Sequence, residues 1–270
     1  MKKIAAAITL LVSISAGPSI AAEIKIGGTG AVFALGGLLS EAFTAAYPDD
    51  TVQVIPSMGS SGGIQAVTAG ALQVSFSGRP LNADEKTKGL QEMPFLDTPY
   101  AFVSSHQKPQ KLTTSDVVAI YSGTLAKWPD GKDISPILRP KGDSDTSYLI
   151  ETIQGMGPAL DTLRQRADVP IAGTDQDNME AAQRTANSFT GSTLLQVVTE
   201  SPRVKAIRLD GVEPTVEGME KGEYPLKRRI YAIVNADPSP AAKKFVSFMR
   251  SAEAEKITDE ALKLIGEKEK

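Results

Sequence analysis

Hydroxyl groups and glycines cluster at a few points of this chain in a pattern suited to holding an anion. "GSSGG" (59–63) places two hydroxyls among three glycines, directly after the apolar stretch "TVQVIP". "GGTGAV" (27–32) and "SFSGRP" (75–80) have similar content, and "DSDT" (143–146) follows Arg139 by a few residues. A helix start offers unsatisfied N–H groups and a partial positive charge, both of which favour an anion. Glycine permits close approach of a ligand to the backbone, Ser and Thr add donors, and a forked guanidinium matches an oxyanion. A flexible linker, a tight turn or a plain N-cap also reads as a Ser/Gly run, so no one stretch decides among these.

The elements around these stretches alternate. "EIKIGG" reads as a strand, and "ALGGLLSEAFTAAY" as a helix with Leu35, Leu38, Leu39 and Phe43 at helical spacing. "TVQVIP" is the next strand, "GGIQAVTAG" a helix and "LQVSFSG" a third strand. This βαβαβ rhythm predicts a parallel sheet faced by helices, with ligands beyond the carboxyl ends of the strands. Further on, "TTSDVVAIYSG" reads as a helix capped by Thr114 or Ser115. "ISPILRP" reads as a strand leading into a polar loop and helix over "KGDSDTSYLIETIQ". "YPLKRRIYAIVNAD" is a β-segment, and helices over "PSPAAKKFVSFMRSAEAEKITDEALKLIG" close the chain.

Residues 1–22 have the form of a cleaved secretory signal peptide: Lys2 and Lys3, an apolar run too short to span a bilayer comfortably, and small residues before Glu23. Without them, 27 basic side chains face 32 acidic ones, a charge near −5. No basic tract or aromatic ladder supports nucleic-acid binding. The chain has no cysteine, so an exported form has no disulfide to rely on and no cysteine for lipid attachment; a free periplasmic protein is the expectation, not a lipoprotein. One His and no Cys leave almost no material for a transition-metal site or a Cys–His catalytic pair, while an all-carboxylate site for a hard cation stays open. "SHQK" (105–108) fits the Ser-x-x-Lys pattern of serine acyl-enzymes but has no partner motifs, and chance accounts for it better. No catalytic residue, metal ligand or cofactor is assigned.

Taken in order, these segments resemble the periplasmic phosphate-binding proteins of ABC importers and their wider phosphate-binding-like family. "GGTGAVFALGGLL" is similar to the family's opening Gly-x-Gly-Ala-Thr-Phe segment, and "GSSGGIQAV" to its second anion loop. "FSGRPL" resembles the third loop, "IYSGTLAKWPD" a helix end carrying a Trp, and "RPKGDSDT" the Arg…Gly-Ser-Gly-Thr loop. "LDGVEPT" and "YPLKRRIYAIVN" resemble the return to the first domain.

The resemblance implies an α/β, two-lobed type II periplasmic binding fold, each lobe a mixed, mostly parallel sheet flanked by helices. Lobe 1 would combine 23–102 with 223–270, and lobe 2 would be 103–222. It also implies capture of a small oxyanion, phosphate first, by a monomer that a membrane permease reads in its closed state. A periplasmic sensor for a membrane kinase, or a binder of sulfate, molybdate or tungstate, is the alternative. By the same resemblance, Val32 and Phe33 would offer backbone N–H groups and Ser60 its hydroxyl and N–H, with Ser61 and Gly62 completing the loop. Arg139 would pair with the oxyanion, and Ser144 and Thr146 would donate from the second lobe, with Asp145 between them. The chain departs from the family at Val32, where Thr is usual. It departs again at Gly78, where the family has an Asp that accepts the proton carried by phosphate. Arg79 follows Gly78 and would add positive charge; with Asp143 or Asp145 as substitute acceptor, phosphate would remain the ligand.

Overall fold

The computed structural model describes residues 22–108, 111–200 and 203–263. The expected signal peptide, residues 1–22, lies outside them apart from Ala22, as does the end of the charged tail. Strand β1 (Ala22–Gly28) runs through a short 3-10 turn (Gly30–Val32) into α1 (Phe33–Ala46). Then come β2 (Asp50–Val54), α2 (Gly59–Thr68), β3 (Val74–Ser77) and α3 (Ala83–Thr87). β1 pairs with β2 and with β3, both in parallel, as the alternating pattern predicts. Helix α2 begins at Gly59 itself, so all five residues of "GSSGG" belong to the helix and its first turn. Gly59 has φ +71°, a left-handed entry that glycine makes at little steric cost.

β4 (Leu90–Ser104) is a single strand of 15 residues that serves two sheets. Residues Leu90–Pro99 pair antiparallel with β8 (Lys227–Asn235), which closes the first sheet in the order β2-β1-β3-β8-β4. Residues Tyr100–Val103 pair instead with β6 (Ser188–Thr193), and β6 pairs in parallel with the two-residue strand β5 (Ser135–Pro136). β7 (Lys205–Ala206) also pairs with the end of β4. Both sheets are therefore mixed. Parallel pairs make up half of the first and the minority of the second, fewer than expected, because β8 and β6 both return against β4.

The second sheet carries α4 (Thr114–Ser122), α5 (Ser144–Thr152), α6 (Met156–Leu163), α7 (Asp175–Arg184) and α8 (Leu194–Glu200). The cap of α4 is Thr113, one residue before the sequence reading places it; its hydroxyl accepts from the Asp116 N–H while the Asp116 side chain returns to the Thr113 N–H. α9 (Val216–Glu220), α10 (Pro240–Phe248) and α11 (Ala252–Lys263) complete the described chain. No helix among the described residues is long and apolar enough to cross a membrane.

Two large apolar cores sit side by side. One gathers Ile24, Leu35, Phe43, Phe76, Ile230, Phe245 and Leu262 around the first sheet. The other gathers Tyr100, Phe102, Trp128, Leu160, Phe189 and Leu226 around the second. Leu195 of α8 packs in the first core although its neighbours Leu194 and Val197 pack with the second sheet, so this helix rivets the two.

Candidate functional site

The carboxyl ends of β1 and β3 and the start of α2 face the start of α5 and α7. Thr29 follows β1 directly, is buried, and has its N–H tied to the Phe76 carbonyl at 2.9 Å. Val32 turns its side chain into the first core, and the Phe33 N–H donates to the Gly30 carbonyl. The Phe33 amide is thereby committed inside the turn instead of being offered to a ligand, while its ring stands partly exposed.

Ser60 occupies the junction between the two halves. Its buried hydroxyl accepts from the Gly78 N–H at 2.9 Å and donates to the Ser144 hydroxyl at 3.0 Å. Ser61 and Gly62 lie in the same turn but face outward: Ser61 Oγ meets Arg79 Nη2 at 3.1 Å, and the Gly62 backbone packs against Met58. Arg79 does not enter this junction. Its guanidinium is held in a two-pronged pair with Glu85 at 2.7 and 2.8 Å, and a further donor reaches the Pro80 carbonyl. Glu85 is fixed there by the capping box of α3, which presents its carboxylate on the outer side of the loop. That pairing also holds the Glu85 carboxyl below the usual carboxylate range.

Arg139 is buried in the second half. Nη1 donates to the Ala172 carbonyl at 3.1 Å, and Nη2 to Asp143 at 2.9 Å and Asp175 at 3.4 Å. Asp143 also caps α5 by accepting the Asp145 N–H at 2.9 Å, so one carboxylate orients both the arginine and the helix. Thr146 spends its hydroxyl proton on the Pro140 carbonyl at 2.9 Å, pinning the loop between Arg139 and α5 instead of donating into the junction. Ser144 and Asp145 are the two residues of "DSDT" that meet the other half of the molecule.

Asp145 is met there by Arg228, whose Nη2 stands 3.1 Å from its carboxylate. Burial drives the Asp145 carboxyl up to about 7; the pull of Arg228 is outweighed, and Asp143 and Asp175 nearby push the same way. Arg228 lies on β8, buried, over the ring of Tyr148 at 4.7 Å. It also fills the space next to Gly78: a Cβ built on that glycine would stand 2.7 Å from Arg228 Nη2. The cation that accompanies the missing acidic side chain is therefore Arg228, from the far end of the sequence, and not the adjacent Arg79. The Nε–H groups of Arg139 and of Arg228 are both buried and find no acceptor among the described residues. Two guanidinium donors left in this way are costly unless something else satisfies them.

Sequence reasoning missed Arg228 and Asp175. Arg228 carried a usable signal: in "KRRIYAIVN" the alternation puts it on the same buried face as Ile230 and Ala232, where an unpartnered arginine would be expensive. Asp175 carried none, since Asp after Thr174 reads as an ordinary acidic first turn. The Ser105 hydroxyl of "SHQK" donates to the Thr185 carbonyl at 2.6 Å, a structural bond. A groove of about 1140 Å³ opens elsewhere, between Met93–Asp97 and the helices α9 to α11, and gathers none of Ser60, Arg139, Ser144, Asp145, Asp175 and Arg228.

The comparisons agree with this layout. The chain is 24% identical over 252 residues to the phosphate-binding protein PstS of Bacillus subtilis (strain 168), covering 88% of this chain and 79% of that one. A putative phosphate ABC transporter substrate-binding protein with bound phosphate, from Clostridium perfringens, superposes with a TM-score of 0.78 at 22% identity, over 89% of this chain and 98% of that one. An ABC-type phosphate transport receptor from Vibrio cholerae does so with a TM-score of 0.63 at 20% identity, over 88% and 98%. The family described as the PBP superfamily domain matches residues 13–253. With its two sheets joined through β4 and its polar junction between them, this chain belongs to that family and has the type II periplasmic binding fold.

Proposed function

We propose that this chain is a periplasmic solute-binding protein that captures a small oxyanion, phosphate first, for the permease of an ABC importer. It would act as a monomer of two lobes, 23–102 with 223–270 and 103–222, which close on the ligand. The two separate cores support a division into two lobes; Tyr100, Phe102, Tyr224 and Leu226 pack in the second core, which favours crossings near Pro99–Tyr100 and Leu226–Lys227 over 102/103 and 222/223. The observation that carries the reading is the pair of buried guanidinium groups, each with an Nε–H lacking an acceptor among the described residues, beside hydroxyls of Ser60 and Ser144 that meet at 3.0 Å. An oxyanion supplies several acceptors at once, and charge-assisted bonds in a dry crevice are strong. The relatives with phosphate in their names make phosphate the first ligand to test.

Gly78 beside Arg228 favours a second possibility at the same site, a fully ionised oxyanion such as sulfate, molybdate or tungstate. An acidic acceptor in that place would repel such a ligand, and here a cation stands there instead. Calorimetric titration of the mature chain with phosphate, sulfate, molybdate and tungstate separates the two. Arg139→Ala, run alongside, is expected to weaken the preferred ligand by at least about thirtyfold, the scale for losing a buried charge partner. If none of the four anions binds the parent protein, or if Arg139→Ala binds as well as the parent, the oxyanion reading fails.

A further inference from the structure

Asp175 opens α7 with a buried carboxylate that reaches across the junction. Its Oδ2 accepts the Gly30 N–H at 2.6 Å and the Thr29 hydroxyl at 3.0 Å, and its Oδ1 stands 3.4 Å from Arg139 Nη2. An amide, a hydroxyl and a guanidinium are the donor types that the proposed oxyanion would use, and a carboxylate has the same two-oxygen fork. The neighbouring Gln176 braces the contact: its Nε2 donates to the Gly30 carbonyl at 3.0 Å and to Glu200 of α8 at 3.1 and 3.2 Å.

We infer that Asp175 is a built-in occupant of part of the oxyanion seat, and so the residue that sets how tightly this site holds its ligand. The inference rests on the oxyanion reading above. A tethered carboxylate competes at a high effective concentration, so an incoming anion must offer the same donors more than Asp175 does. Its negative charge also stays beside the seat once it is displaced. An oxyanion with more acceptor oxygens than a carboxylate is selected, and a small monocarboxylate is rejected because it gains nothing over the group it replaces. Asp143 is the natural control. It pairs with the same guanidinium, but its other oxygen is used in capping α5, not in contacting Thr29 or Gly30.

The test is phosphate calorimetry on Asp175→Asn and Asp143→Asn beside the parent chain, each checked by thermal melting. Asparagine keeps an acceptor for Gly30 and leaves the Thr174 cap untouched. Asp175→Asn is expected to tighten phosphate binding by at least about tenfold, because the neutral amide competes far less for the Arg139 guanidinium, while Asp143→Asn, which removes the carboxylate that orients Arg139, is expected to weaken it. Equal gains in the two variants would show a general charge effect and overturn the inference, as would unchanged or weaker binding in Asp175→Asn. Should Asp175→Asn melt early, Asp175→Ser carries the same comparison. If the parent binds phosphate and Asp175→Asn gains nothing, only this inference falls. If neither they nor the other oxyanions give binding, the oxyanion reading falls first.

Discussion

Adding one methyl group at Gly63 should damage both the stability and the site of this protein. Gly63 is buried in α2 where the helix presses against β1 and β3. A Cβ built there would stand 2.5 Å from the Gly28 Cα and closer still to Ser75 Oγ. The serine oxygen can rotate, whereas the Gly28 backbone cannot yield without moving β1. Overpacking of this kind costs about 1–3 kcal/mol, and a clash with backbone belongs at the upper end. Alanine recovers about 1 kcal/mol of helix propensity, which leaves a net loss of about 2 kcal/mol. For a chain of this length that is a fall of about 4–8 °C in melting temperature. Helix α2 would have to back away, carrying Ser60 off the Gly78 N–H and the Ser144 hydroxyl, so phosphate affinity should fall in parallel. Gly37→Ala provides the contrast, because a Cβ at Gly37 in α1 meets nothing within 4 Å. That variant should melt at or slightly above the parent, through the same propensity gain. Circular dichroism melts and phosphate calorimetry on both variants, with Gly63→Ala/Ser75→Ala as a third, check this. If Gly63→Ala melts no lower than the parent, or if the double variant recovers fully, the helix–strand contact at Gly28 does not control the position of Ser60.

Two further outcomes follow from the charges around the junction. Burial raises the Asp145 carboxyl to about 7, so between the ordinary carboxylate range and that value the folded chain holds a proton that the unfolded chain releases. Stability contributed in this way is present at low pH and lost as pH rises through about 7. Denaturant melts at about pH 5 and about pH 8 should therefore show a loss for the parent that Asp145→Asn lacks, with about 3 kcal/mol as the ceiling over that interval; equal pH slopes in the two proteins would refute this. Arg79→Ala should leave phosphate affinity within about twofold of the parent, because Glu85 holds that guanidinium on the outer side of the loop. A tenfold or greater loss in calorimetry would show that it reaches the ligand after all.

Local pattern left β4, β6 and α6 to α8 unread, but made legible the strands and helices over 24–77, the parallel start of the first sheet, and the loops that carry Ser60, Arg139 and Ser144. Those features are local: hydrophobic period, capping residues and glycine positions act over a few neighbours, and the order of motifs carried the family resemblance. Arg139 was legible because it precedes "DSDT" by a short interval. Arg228 was not, because its partner Asp145 is 83 positions away and the two meet only where α5 comes against β8. The same holds for Asp175, whose bonds to Thr29 and Gly30 span 146 and 145 positions. Which arginine faces the junction depends on three-dimensional packing. Arg79 and Arg228 are equal in charge and donor number. They differ in that Glu85 captures one in the adjoining turn, while burial on β8 directs the other toward the space that Gly78 leaves open.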